Sequence, residues 1–124
     1  MPRLIFVRNL NQPKVSPARV KYCDSFLCRL RGLTFRNRLE PDDGLLLVQG
    51  KRDSRIDSSI HMLFVPFELN VVWINTDMNV VDKVIAKPWR PAYLSAQPAR
   101  YVLEIHPDRW EDYQIGDQVE FQDA

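Results

Sequence analysis

The feature that most restricts the fold of this chain is a series of short apolar segments, most of them alternating with period two. Such alternation is typical of a β-strand that buries one face. Because no strand alternates with a helix along the chain, a doubly wound α/β fold is excluded. The sequence therefore predicts a mainly β fold, either a small β-sandwich or a partly closed barrel. The predicted strands cover residues 4–7, 45–48, 60–64, 69–74, 80–86, 101–105 and 119–121.

One short N-terminal helix is predicted over residues Ser25 to Arg31. Asp24 or Ser25 can cap it, since each side chain offers an oxygen to the free backbone N–H groups of a first turn. Gly32 is placed to end it. Apolar side chains recur near helical spacing at Phe26, Leu27, Leu30 and Leu33.

Length and charge limit the classes of protein to which this chain can belong. A chain of 124 residues is the size of one domain, so we expect a single domain over residues 1–124. Seventeen basic and sixteen acidic residues leave a net charge of +1, which argues against nucleic acid as a partner. No apolar run is long enough for a membrane span or a signal peptide. We therefore expect a soluble, cytoplasmic protein without a membrane partner.

The two cysteines, Cys23 and Cys28, match neither a paired zinc-binding spacing nor a redox motif. On a helix, a separation of five residues would place them on different faces. The prediction is that both are free, reduced and packed as small apolar residues.

Five short motifs follow one another over about residues 20–121. They are Arg31-Gly32-Leu33, Gly44 to Val48, Ser59 to Met62 with Leu69 to Asn75, Tyr101 to Glu104, and Gly116 to Val119. Each motif is weak alone, but the ordered set resembles the domain-of-unknown-function 192 family. The resemblance implies a small β-rich fold, and it implies no activity.

Two positions depart from the common family pattern. A Trp-Met-Lys-Asn run is replaced here by His61-Met62-Leu63-Phe64, and an Asp is replaced by Asn70. If the family builds a site on that Lys, Asn and Asp, this chain has lost part of it. We expect His61 to lie on a strand beside the main pocket, within reach of Glu104 or an arginine.

The proline-rich loop from Lys87 to Tyr93 is the first candidate for a contact surface. It carries Trp89 between two prolines, and binding residues gather on such loops. Polar residues on apolar strands complete the candidate set, because a buried polar group without a partner is costly. The predicted groove residues are Arg31, His61, Asn70, Trp89, Tyr93 and Glu104.

No reaction follows from these residues. The leading hypothesis is a non-catalytic binding or accessory module whose groove lies near the His61 strand and the Lys87–Tyr93 loop. Its partner would be a small ligand or another protein, and no cofactor or metal is expected. The alternative is a small hydrolase or metal-dependent enzyme centred on His61, Glu104 and His106, since a metal site needs about three such ligands.

Overall fold

The computed structural model describes residues 3–25, 28–29, 38–40 and 44–124 of the chain. Seven strands form one sheet in the order β5-β4-β6-β3-β2-β1-β7. Every neighbouring pair is antiparallel except β2 and β3, which are parallel. The strands are β1 (Arg3–Asn9), β2 (Ala18–Cys23), β3 (Gly44–Val48), β4 (Leu69–Ile74), β5 (Val80–Ala86), β6 (Tyr101–Ile105) and β7 (Val119–Asp123).

The sheet curls until its two edges approach each other, and it forms a half-barrel. The start of β5 and the segment leading into β7 are joined by backbone bonds. The amide of Val80 donates to the carbonyl of Asp117 at 2.8 Å, and the amide of Val119 donates to Met78 at 2.9 Å. The predicted partly closed barrel is confirmed, and the alternative of two stacked sheets is wrong.

Both faces of the central strands are covered, so the chain has two apolar clusters. The inner cluster fills the half-barrel, and β6 contributes Tyr101, Leu103 and Ile105 to it. The outer cluster lies on the opposite face, where Val102 of β6 packs with Trp73 of β4. Alternate residues of β6 therefore face opposite sides of the sheet.

Strand β2 was missed by the sequence analysis, although Ala18 and Val20 do alternate there with charged Arg19 and Lys21. The strand predicted over residues 60–64 is wrong. Ile60 makes only an isolated bridge, and a tight turn follows within the same segment.

The helix predicted over Ser25 to Arg31 is not borne out. Four of its residues lie outside the part of the chain that the structure describes. At its start, the amide of Cys28 donates to Oγ of Ser25 at 3.2 Å, as an N-cap contact would. The helix with described bounds is a 3-10 helix, Pro107–Asp112. No helix in the described ranges is long and apolar enough to cross a membrane.

Cys23 and Cys28 form a disulfide, with their Cα atoms 5.5 Å apart. The prediction that they are free and reduced is wrong. It assumed that both lie on one helix, whereas Cys23 ends strand β2 and the chain bends between the two. A separation of five residues then brings the two Cα atoms within disulfide range.

Candidate functional site

Two irregular loops lie side by side over the outer apolar cluster, and we call residues 54–64 and 89–99 the loop ribbon. Backbone hydrogen bonds join them along their length. Ser54 pairs with Ala99, Ile60 pairs with Tyr93 in both directions at 2.9–3.0 Å, and the amide of Met62 donates to Arg90 at 2.8 Å. The two loops are therefore held together by backbone hydrogen bonds, although neither belongs to a named strand.

The loop ribbon carries most of the exposed large apolar side chains. Of the seven such residues in the described part of the chain, five lie on it; the other two are Leu10 and Ile115. Single exposed apolar residues are ordinary, but a cluster of them marks an interaction surface. The five are Ile56, Leu63, Phe64, Trp89 and Leu94.

At one end of the ribbon an aromatic pair stands on the surface. Phe64 and Trp89 are 50% and 54% exposed, and their ring centroids lie 5.3 Å apart in an edge-to-face arrangement. Such geometry is favourable between aromatic rings. We refer to these two residues as the aromatic pair.

Both members of the aromatic pair have left-handed backbone conformations. Their φ angles are +62° for Phe64 and +67° for Trp89. Each is the second of the two central residues of a tight turn, and Pro88 precedes Trp89. In a type II turn this position calls for glycine or asparagine. A bulky side chain there is an outlier, and such outliers cluster at functional sites.

One buried residue holds both turns. The carbonyl of Met62 accepts from the amide of Val65 at 3.1 Å, which closes the turn carrying Phe64. The same carbonyl accepts from the amide of Trp89 at 2.9 Å. Met62 is fully buried in the outer cluster, so its carbonyl ties the backbone at Phe64 and Trp89 to the core.

The described polar side chains close in sequence to the aromatic pair are those of His61, Lys87 and Arg90. Nδ1 of His61 accepts from the amide of Leu63 at 3.2 Å, and the His61 side chain is exposed. Lys87 forms an ion pair with Glu68. Arg90 is exposed, and in the described ranges its guanidinium has no ion pair or hydrogen bond. Within the part of the chain that the structure describes, Arg90 is therefore a cation beside the pair that no carboxylate engages.

Three of the predicted groove residues lie together on the ribbon: His61, Trp89 and Tyr93. Tyr93 is partly buried against the outer cluster, and its hydroxyl accepts from the amide of Lys87 at 2.7 Å. His61 is not on a strand, contrary to expectation, because the backbone turns immediately after Met62. Arg31 lies outside the described residues.

Asn70 is not part of this surface. It is fully buried on the inner face of β4, paired across the sheet with Ile105. Its Nδ2 donates to the carbonyl of Arg109 at 3.1 Å, and its Oδ1 has no hydrogen-bond partner in the described part of the molecule. Asn70 thus joins the sheet to the 3-10 helix.

Glu104 lies on the outer face of β6, between Leu45 and Val71 on the neighbouring strands. It is 5% exposed. Desolvation in this apolar setting raises the pKa of Glu104 to about 7. Asn70 and Glu104 therefore face opposite sides of the sheet and cannot line one groove.

The predicted set of His61, Glu104 and His106 does not assemble. Nδ1 of His106 accepts from the amide of Asp108 at 3.0 Å and caps the 3-10 helix. Over the described ranges, no group of three His, Cys, Asp or Glu side chains is placed to hold a metal ion. The set of three metal ligands on which the metal-dependent form of the enzyme alternative relied is therefore not formed among the described residues.

Sequence reasoning missed Phe64, Leu63 and the left-handed turns. The Pro88-Trp89 dipeptide was a usable signal, because proline favours the first corner of a turn and so places the next residue at the second. Leu63-Phe64 carries no such signal, since neither residue is typical of a turn.

The fold and the site together define a half-barrel protein that presents a strained aromatic pair on paired loops. The chain belongs to the domain-of-unknown-function 192 family, described as an uncharacterised ACR family, whose profile matches residues 7–121. The predicted resemblance is confirmed.

Relatives and solved structures agree with this assignment. A UPF0127 protein of Pyrococcus furiosus is 34% identical over 96 residues, covering 77% of this chain and 78% of the relative. A UPF0127 protein of Thermococcus sibiricus is 34% identical over 118 residues, covering 92% and 73%. Neither name states an activity.

Two crystal structures share the fold. A Sinorhizobium meliloti protein, described as a candidate transcription regulator, superposes with a TM-score of 0.79 at 21% identity, covering 98% of this chain and 94% of that one. A Novosphingobium aromaticivorans protein of unknown function gives 0.77 at 20% identity, covering 94% and 83%. At these identities the likeness concerns the fold alone.

Proposed function

We propose that this chain is a non-catalytic binding module that receives an apolar group of its ligand on the aromatic pair. The observation that supports the proposal is the left-handed backbone conformation of Phe64 and Trp89. Two large rings occupy positions where glycine or asparagine would cost less, and about half of each remains exposed. Backbone strain of this kind persists only where surrounding contacts enforce it, and binding sites use it.

Trp89 differs from a structural tryptophan in the same chain. Trp73 is 1% exposed, and its indole N–H donates to the carbonyl of Ser58 at 2.8 Å. The indole N–H of Trp89 meets no acceptor in the described part of the chain. Trp89 therefore offers both an apolar ring and an unused donor, a combination enriched at interfaces.

An enzyme remains the less supported class. Among the carboxyls that the structure describes, Glu104 is the one whose pKa is raised toward neutrality, and a perturbed pKa alone also arises in structural positions. Its neighbours across the sheet are Leu45 and Val71, which supply neither a nucleophile nor a second acid. Among the described residues, the strand pairing around Glu104 therefore offers no second group of the kind that acid–base chemistry uses.

The wider setting also belongs to the proposal. We propose that residues 1–124 form one domain, that the partner is neither nucleic acid nor membrane, and that the protein works in the cytoplasm. The near-neutral charge supports the first exclusion, because few counterions would be released on nucleic-acid binding. The cytoplasmic assignment conflicts with a disulfide, which the cytosol normally reduces.

The test is an amide and indole NMR titration of the ¹⁵N-labelled protein with N-acetyl-leucinamide and N-acetyl-prolinamide. The indole resonance of Trp89, assigned with Trp89→Asn, is expected to shift together with the amides of Leu63 and Phe64. The indole resonance of Trp73 is the internal control and should stay in place, because it is buried and bonded.

Two results would contradict the proposal. One is the absence of any shift on the loop ribbon with either amide. The other is a set of shifts centred on Glu104 and His106, which would favour the enzyme class. N-acetylglucosamine, titrated in parallel, separates a sugar site from a site for protein side chains.

A further inference from the structure

We infer that the ligand of the aromatic pair is an extended peptide segment of a partner protein that carries an apolar or proline residue beside a carboxylate. This inference rests on the proposed function and adds the class of partner. It follows from the shape of the loop ribbon and from the charges beside the aromatic pair.

The ribbon spaces its exposed apolar side chains along two paired segments of the chain. Its ladder runs from the Ser54–Ala99 pair at one end to the Met62–Arg90 bond at the other. Exposed apolar side chains occur along that length, with Ile56 toward the first end and Trp89 at the second. A linear surface suits an extended chain, whose side chains can reach successive contacts.

The aromatic end is suited to proline or another compact apolar side chain. Proline-rich segments dock on exposed aromatic rings, and their backbone carbonyls remain free for a donor. The unused indole N–H of Trp89 is such a donor. The contact to the partner would then combine ring packing with one hydrogen bond.

The charge at this end favours an acidic neighbour on the peptide. Arg90 follows Trp89 directly and has no ion pair among the residues that the structure describes. The nearby carboxylate of Glu68 is already paired with Lys87. The ribbon's own acid, Asp57, lies toward the opposite end with Arg55. A carboxylate next to the apolar anchor would therefore meet an unpaired guanidinium, which can bind it with two parallel bonds.

The same charges disfavour two other occupants. In a symmetric contact between two copies of the chain, the same patch faces itself, so the unpaired Arg90 would approach its own copy. A sugar site would be expected to surround the ring with several free polar groups. Here Nδ1 of His61 and the carboxylate of Glu68 are already bonded. Among the described residues next to the pair, the groups left for a ligand include the guanidinium of Arg90 and the indole N–H of Trp89, which are both donors.

The experiment selects a phage-displayed library of random peptides on the wild-type chain, after depletion on Trp89→Asn. Enriched sequences are expected to combine proline or a large aliphatic residue with Asp or Glu. A fluorescein-labelled consensus peptide is then titrated by fluorescence anisotropy. Arg90→Glu should raise its Kd about fivefold, because exposed charge pairs are modest in strength. Added salt should weaken binding as well.

Lys14→Glu is the matched control, since Lys14 is an exposed cation outside the ribbon. It should leave the Kd unchanged. A peptide whose acid is replaced by lysine should bind Arg90→Glu better than it binds the wild type, and this charge swap is the strongest support for the inference.

Three outcomes would contradict the inference or the proposed function, and they can be told apart. Enriched peptides that depend on Trp89 but contain no acid would refute the inference and leave the binding module standing. A library that yields no Trp89-dependent sequence would refute the proposed function as well. A concentration-dependent dimer that disappears in Trp89→Asn would show that the occupant is a second copy of this chain.

Discussion

Phe64 and Trp89 are the residues at which a substitution is expected to affect ligand binding while changing the free energy of unfolding little. A left-handed conformation costs a residue with a side chain roughly 1–2 kcal/mol, and asparagine tolerates it better. Losing the ring contact costs about 0.5–1.5 kcal/mol. Because these effects oppose each other, Trp89→Asn should change the free energy of unfolding by no more than about 1 kcal/mol, measured by urea denaturation.

The buried Trp73 provides the contrast for that measurement. Trp73→Phe removes the donor to Ser58 and leaves a cavity, so a loss of about 2 kcal/mol or more is expected. If Trp89→Asn were as destabilising as Trp73→Phe, Trp89 would be a structural residue and its exposure would carry no functional meaning.

Glu104 makes the stability of the fold depend on pH. Its pKa is raised to about 7 by burial, against an ordinary value of 4.5 in the unfolded chain. Between these two values the folded state holds the proton more firmly than the unfolded state does. The free energy of unfolding should therefore fall as pH rises from 4.5 through 7, by about 3 kcal/mol in all.

Glu104→Gln tests this directly, because glutamine keeps the shape of the side chain and cannot ionise. The variant should lose most of the decline between pH 4.5 and 7 in urea titrations and should exceed the wild type in stability above neutrality. Glu120→Gln, at an exposed position of β7, is the control and should keep the wild-type profile. An unchanged decline in Glu104→Gln would assign the pH dependence to other groups.

At the scale of elements, the sequence predicted strands wherever local alternation and turn chemistry decide the structure. The hairpin of β4 and β5 was predicted with its five-residue loop, and the strands do end at Ile74 and resume at Val80. The proline-rich loop after Ala86 was also predicted. These features depend on neighbours in the sequence, which a pattern reports directly.

Elements that depend on distant contacts were predicted less well. Residues 60–64 alternate like a strand, yet Met62 bonds to both Val65 and Trp89, and the chain turns at Phe64. That outcome depends on a loop more than twenty residues away. The two cysteines show the same effect, because their pairing depends on where β2 ends rather than on their spacing alone.

The candidate site was predictable only in part, for reasons that involve the whole molecule. His61 was expected on a strand and Trp89 on an exposed loop, and both lie on the loop ribbon. Asn70 was grouped with them, but it faces the inner cluster on the opposite side of the sheet. Strand β4 is buried on both faces, so its pattern could not show which face Asn70 occupies. A shift of one residue moves a side chain to the opposite face of a sheet.

The Cys23–Cys28 bond links the last residue of β2 to the segment that follows this strand, and it also bears on where the protein works. A loop this short is expected to contribute about 2 kcal/mol by restricting the unfolded chain. Cys28→Ser should lose that amount in urea denaturation. It is preferable to a change at Cys23, which is fully buried, so that removing it would add a packing defect.

The wild type treated with reductant is the matched control, and its unfolding free energy should fall to that of Cys28→Ser. Cells quenched with an alkylating reagent before lysis then show whether Cys23 and Cys28 are oxidised or reduced in the cell. Unlabelled cysteines would mean that the bond forms in the cell, which argues against a reducing cytosol. Labelling of both Cys23 and Cys28 would support the cytoplasmic proposal. It would also mean that the chain folds there without this link, with Cys23 held by its pairing with Leu47 of β3 and by the outer cluster.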